Sequence, residues 1–193
     1  MNICVYGASS KTLDKSYLEA GVELGALMAK RGHRLVFGGG CGGLMGAVAE
    51  GVYSEKGYIK GVSPQFFDVD GILFQHCDEL IMTDTMRERK QIMEDSADAF
   101  ITTPGGIGTF EEFFEILTLK QIGRHNKPMV ILNTNNYYDE LLALMDKAIA
   151  GNFMTEENHN LYKVCATPKE AIEYVENYDF DGSGKTLKEY KNV

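Results

Sequence analysis

The sequence predicts an α/β fold: one domain whose central parallel sheet is covered by helices on both faces. Three observations predict it. Short β-branched runs alternate with helical patterns of roughly 10–15 residues, the mark of βαβ units. Two glycine-rich segments each stand where a strand hands over to a helix. The 193 residues, 44% of them apolar and 10% aromatic, suffice for one core. That apolar share excludes intrinsic disorder, and a domain of this length buries roughly 70% of its unfolded surface.

The first strand is Asn2–Tyr6, followed by a helix over Thr12–Gly32 with Leu13, Tyr17, Ala20, Leu24 and Leu27/Met28 on one face. Arg34–Phe37 is the second strand. A glycine loop leads from it to a helix through Leu44, Val48 and Val52, and Tyr58–Val62 and Glu79–Thr83 read as further strands. A helix from Thr85 to Ala97 feeds the strand Ala99–Thr102. Thr109–Ile122 is helical, Met129–Leu132 a strand, Tyr137–Ala150 helical, Leu161–Cys165 a strand and Pro168–Asn177 the last helix. Residues 1–177 form the domain, and 178–193 read as a polar tail. Open sheets of this kind hold ligands in the crevice at the carboxyl ends of their strands.

Charge narrows the partners. The formal net charge is −9, from 28 acidic and 19 basic residues, and 138–193 alone hold 11 acidic against 6 basic. An acidic surface repels a polyanionic backbone, so nucleic-acid polymers are excluded while a small phosphorylated ligand is not. The longest uncharged run, Leu35–Ala49, is 15 residues and rich in glycine, short of the ~20 a membrane span needs. No basic segment precedes an apolar one at the start, so no signal peptide is read. Cys4, Cys41, Cys77 and Cys165 form no CxxC pair, which fits reduced thiols in the cytoplasm. His33, His76, His125 and His159 lack metal-ligand spacing, and no metal site is expected.

Glycine is in surplus: 21 residues, against about 13 or 14 at average usage. Six lie in Gly38–Gly46 and three in Gly105–Gly108. The backbone N–H groups and dipole of a helix start suit an anion, and glycine lets the chain approach it closely. The surplus therefore reads as two anion cradles. Gly38-x-Gly40-x-x-Gly43 formally meets the dinucleotide fingerprint, but it follows the second strand and no acidic residue closes the next one. A phosphate cradle is favoured over NAD, and tight helix-on-sheet packing is the alternative. Gly182-Ser-Gly184-Lys185-Thr186 imitates a P-loop but lacks its first glycine and a preceding strand.

The second cradle runs Thr103-Pro104-Gly105-Gly106-Ile107-Gly108-Thr109-Phe110-Glu111-Glu112. Taken alone, Thr109-x-x-Glu112 reads as a helix capping box. Yet Glu112 falls at helical spacing with Ile116 and Leu119, so its carboxylate stands on an apolar strip. In Met86-Arg87-Glu88-Arg89-Lys90, Arg89 likewise shares a stripe with Met86 and Met93, where a buried arginine needs a partner. Its helix feeds the strand Ala99–Thr102, which ends in the Pro-Gly-Gly loop, and this makes Arg89 and Glu112 neighbours over one crevice. Arg87 and Lys90 read either as added positive charge for a nucleotide or as solvated surface.

Met86-x-x-Arg89-Lys90 and Pro104-Gly-Gly-x-Gly-Thr-x-x-Glu112, with the Gly38–Gly46 run upstream, resemble the Lonely guy family over residues 2–177. These are cytokinin riboside 5′-monophosphate phosphoribohydrolases, long mislabelled lysine decarboxylases. The resemblance implies a Rossmann-like three-layer sandwich, a homodimer with active sites near the interface, and no redox cofactor. It implies hydrolysis of the N-glycosidic bond of a purine nucleoside 5′-monophosphate to free base and ribose 5-phosphate. Arg89 and Glu112 match the family's catalytic pair. Lys90, the segment Gly106, Ile107, Gly108, Thr109, Phe110 and Glu111, and Thr118 match its substrate contacts, with Gly105 beside them. Gly38, Gly39, Gly40 and Gly43 match its upstream phosphate-facing loop. The chain departs from the pattern at Arg87, where plant members usually carry histidine, and at Tyr6-Gly7-Ala8-Ser9-Ser10. A molybdenum-cofactor-carrier-like binding protein on the same scaffold is the alternative reading.

Overall fold

The computed structural model of the chain describes residues 1–69 and 71–179. Most of the expected polar tail, including Gly182–Thr186, lies outside the described residues. Seven strands form one sheet: β1 Asn2–Tyr6, β2 Arg34–Phe37, β3 Ile59–Pro64, β4 Glu79–Thr83, β5 Ala99–Thr102, β6 Met129–Leu132 and β7 Lys163–Cys165. All pairs are parallel, in the order β4-β3-β2-β1-β5-β6-β7. The helices are α1 Lys15–Lys30, α2 Gly43–Ser54, α3 Met86–Ser96, α4 Ile107–Gln121, α5 Asp139–Ala150 and α6 Pro168–Glu176. This is the expected Rossmann-like three-layer sandwich.

Side chains of β1 alternate between two cores. Ile3 and Val5 join Leu24, Met28, Val48, Val52 and Ile172 on the face covered by α1, α2 and α6. Cys4 and Tyr6 join Met93, Phe113, Ile116 and Met145 on the face covered by α3, α4 and α5. Among the described residues no helix is long and apolar enough to cross a membrane.

Element ends differ from expectation for local reasons. Asp14 accepts a hydrogen bond from the Ser16 N–H at 2.9 Å and starts α1 at Lys15, not Thr12. Short 3₁₀ turns at Thr134–Asn136 and Glu156–Leu161 shorten α5 and β7 from their amino ends. α4 starts at Ile107, two residues early, because Gly106 is its N-cap.

Part of the glycine surplus serves helix packing. α1 and α2 touch backbone to backbone: a Cβ on Gly25 would overlap the Val48 carbonyl, and one on Gly51 the Val22 carbonyl. Neither position belongs to a strand tip, so the surplus is not explained by the two strand-end loops alone.

The chain winds from β1 to β4 towards one edge, then crosses back to place β5 on the other side of β1. That reversal opens a crevice between the tips of β1 and β5, bridged by the Ala8 N–H donating to the Pro104 carbonyl at 3.1 Å. Ligands of open α/β sheets bind at such a switch point.

Candidate active site

A cleft of about 640 Å³ lies over this switch point, bounded by the β1, β2 and β5 loops, the end of β3 and the first turns of α3 and α4. At its floor Arg89 and Glu112 meet. Arg89 Nη1 donates to Glu112 Oε1 at 3.0 Å, and Arg89 Nε donates to the Val62 carbonyl at 3.1 Å. Both residues are buried, at 7% and 9% exposure. Gly38 is glycine because a Cβ there would overlap Arg89 Nη2. Burial pushes the Glu112 carboxyl above the usual carboxylate range, and the adjacent Arg89 charge only partly offsets it. A buried ion pair contributes little net stability over an apolar pair of the same volume, so stability alone gives no reason to keep one here.

The pattern Thr-x-x-Glu occurs at three helix starts, and comparison among them shows what Glu112 does. Thr85 Oγ1 accepts from the Glu88 N–H at 3.1 Å, and Glu88 Oε2 accepts from the Asp84 N–H at 3.0 Å. Thr167 and Glu170 repeat this at α6, with bonds of 3.2 Å and 2.9 Å. Thr109 and Glu112 do not. Thr109 already lies inside α4, whose N-cap is Gly106 with no side-chain cap. The capping-box alternative is therefore wrong for this pair: Glu112 bonds Arg89 instead.

Of the residues expected at the site, Gly38, Gly40, Arg89, Gly106, Ile107, Gly108, Thr109, Glu111 and Glu112 line the cleft. The others do not. Gly39 has φ +76° and packs against Ser63. Gly43 has φ +61°, and a Cβ there would press on the Ala8 and Ser10 carbonyls. Thus Gly39 and Gly43 are held by packing against β3 and the β1 loop, whereas the alternative raised for the run was packing of a helix on the sheet. Gly105 packs on Thr109, and its carbonyl accepts from the Tyr137 hydroxyl at 2.6 Å. Phe110 is half-buried against Tyr138, with ring centroids 6.3 Å apart. Lys90 is held by Glu111 and by Glu115, the latter at 2.8 Å. Arg87 is exposed and outside the cleft. Thr118 is exposed, its hydroxyl donating to the Phe114 carbonyl at 2.7 Å. It lies roughly 9 Å along α4 beyond Glu112, the last residue of the helix that lines the cleft.

Gly106 and Gly108, at the start of α4, differ from Gly38, Gly40 and Gly42 across the cleft, because a Cβ at either would meet no protein atom within 4 Å. The protein itself places nothing there that a side chain would strike. Their segment is also held in place: the Tyr138 hydroxyl donates to the Thr103 carbonyl at 2.7 Å, and Thr103 Oγ1 to the Tyr6 carbonyl at 2.9 Å. The sequence reasoning missed Lys11 and Ser63, which line the cleft, and the apolar wall of Met45, Phe67, Ile72 and Leu73. No periodic or motif signal marks these residues.

A nucleotide-sized cleft at a switch point, with a buried carboxylate–guanidinium pair and an uncapped helix start, defines a small-molecule site of the open α/β class. Residues 45–175 match the family model described as "possible lysine decarboxylase". A probable cytokinin riboside 5′-monophosphate phosphoribohydrolase of Oryza sativa subsp. japonica is 39% identical over 176 residues, 91% of this chain and 70% of the relative. The rice cytokinin riboside 5′-monophosphate phosphoribohydrolase LOG is 38% identical over 181 residues, 92% of this chain and 75% of that one. Among solved structures, the Moco carrier protein of Chlamydomonas reinhardtii superposes with a TM-score of 0.68 at 25% identity, covering 91% of this chain and 94% of the other. The chain belongs to the Lonely guy family of phosphoribohydrolases, and is a hydrolase.

Proposed function

We propose that residues 1–177 act as one domain that hydrolyses purine nucleoside 5′-monophosphates, an N6-prenylated adenine nucleotide or AMP, to free base and ribose 5-phosphate. The observation that carries this reading is the buried Arg89–Glu112 pair on the cleft floor, with Glu112 in the second turn of α4, just beyond its uncapped start. The names of the curated relatives support it.

Cleavage develops positive charge at the anomeric carbon and negative charge on the departing base. The 5′-phosphate sits on the N–H groups of α4's first turn, where the helix dipole favours an anion. Glu112, alongside the sugar, stabilises the oxocarbenium-like centre or takes a proton from the attacking water. A carboxyl with a raised proton affinity suits that transfer better than an exposed one. Arg89 holds Glu112 in place through one arm of its fork and offers the remaining donors to the nucleotide. Lys11 adds a cation at the mouth, while Lys90 orders the Glu111 side of α4 through its ion pairs. The test is incubation with AMP or its N6-isopentenyl form and chromatography for the free base. Binding without release would favour the second reading, a carrier, which the likeness to the Moco carrier supports.

Gly106 gives a sharper test of the phosphate position. Because its Cβ would meet open space, Gly106→Ala keeps the thermal midpoint within a few degrees. The new methyl stands between the helix start and the phosphate, and KM rises at least about tenfold. An unchanged KM would move the phosphate elsewhere.

The chain is proposed to work as a homodimer in the cytoplasm. Four free thiols, at Cys4, Cys41, Cys77 and Cys165, support a reducing compartment. Exposed Phe114 and Thr118 share one face of α4, and Thr118 is too far along the helix to touch a nucleotide in its own subunit. It contacts substrate only from a second copy. Solution scattering should give twice the 21.4 kDa chain mass, and a monomer that turns over normally would remove Thr118 from the site.

A further inference from the structure

Ser63 is an anomaly on the cleft wall. It stands near the end of β3, is fully buried, and its Oγ has no hydrogen-bond partner. A buried hydroxyl left unpaired is destabilising, and alanine would fill the same space without that cost. Alternation along β3 sends Val62 into the core under α3 and Ser63 to the opposite face, beneath Gly39. There the surroundings are apolar: Met45, Ile72 and Leu73 form the neighbouring cleft wall. One hydroxyl in an otherwise apolar recess is how small-molecule sites fix orientation.

Position says which part of a ligand it would meet. With the phosphate on α4, at the tip of β5, the tip of β3 lies three strands away through β1 and β2. At the usual strand spacing that is about 14 Å, comparable with the length of an extended nucleoside monophosphate. Arg89 and Glu112 lie between, at the level of the sugar, because Arg89 touches Glu112 on one side and the Val62 carbonyl on the other. The base end therefore falls at Ser63.

We propose that the Ser63 hydroxyl is a specificity-determining group that accepts a hydrogen bond from an exocyclic N–H at the 6-position of a bound purine, selecting 6-aminopurine nucleotides. The assignment rests on the nucleotide-hydrolase reading above and extends it to the base.

Ser63→Ala separates this role from a structural one, because the two predict opposite changes in stability. Without ligand, the variant melts at the same temperature as the parent or a few degrees higher, since an unpaired polar group is gone. Its Kd for AMP by calorimetry, and its KM, rise about five- to tenfold. Its Kd for purine riboside 5′-monophosphate, which has hydrogen at that position, stays within twofold of the parent. Inhibition by ribose 5-phosphate, which has no base, is unchanged. A lower melting temperature with unchanged AMP affinity would overturn the proposal, and so would equal losses for all three ligands. If the parent binds AMP but never releases adenine, the hydrolase reading fails, and the calorimetric contrast between the two purine nucleotides still decides Ser63.

Discussion

Glu112→Gln is expected to stop release of free base while leaving the protein folded and able to bind nucleotide. The amide keeps the shape of the carboxylate and can still accept from Arg89 Nη1, so the pair's geometry survives. What it loses is negative charge opposite the forming oxocarbenium ion and a site for a proton. Loss of a positioned acid–base group typically lowers turnover by 10²–10⁴-fold, and chromatographic assay of adenine from AMP measures it. Arg89→Ala is expected to abolish turnover too, but less cleanly. Removing one partner of a buried pair costs about 3–5 kcal/mol, so this variant folds with a lower melting temperature as well. Near-parental turnover in either variant would remove the pair from the chemistry.

Gly25→Ala is expected to destabilise the protein although it adds a single methyl group. In an ordinary helix interior this substitution stabilises by about 0.5–1 kcal/mol. Here the added Cβ meets the Val48 carbonyl and the Val52 N–H, both backbone atoms that cannot rotate away. α1 and α2 must separate, and overpacking of this kind costs about 1–3 kcal/mol or more. At roughly 2–4 °C per kcal/mol for a chain of this size, the melting midpoint falls by several degrees. Activity per folded molecule is unchanged, because Gly25 is remote from the cleft. A rise in midpoint would show that the two helices are not in backbone contact.

Gly25 also shows where sequence reading stops. The alternation of strands and helices is legible because burial on both faces of a parallel sheet imposes it on every segment. Arg89 and Glu112 are legible for a related reason: a charge at helical spacing with apolar residues must find a partner, and the chain order brings α3 and α4 together. The use of a glycine is not legible, because it depends on what lies opposite. Gly25, Gly43 and Gly108 look alike in sequence, yet they face a helix carbonyl, a loop carbonyl and open space. Thr-x-x-Glu is ambiguous in the same way. At residues 85 and 167 it closes on itself, and at 109 an arginine 23 positions upstream of the glutamate takes the carboxylate away. Ser63 gave no signal, since an unpaired hydroxyl is defined by neighbours contributed by other segments. The cleft's apolar wall was missed for that reason too.

The topological reversal has a consequence for how the protein comes to life. One bank of the cleft hangs from β1 and the other from β5, strands whose pairing joins Ile3 to Ala99. Everything between them must be ordered or looped out before that pairing forms, and such long-range closure is slow. The β1–β4 half of the sheet can assemble earlier from neighbouring segments, yet it holds Arg89's surroundings without Glu112. Both banks of the cleft are therefore in place only where the first strand of the chain pairs with its fifth. A nascent chain carries no working cleft until α4 has been synthesised.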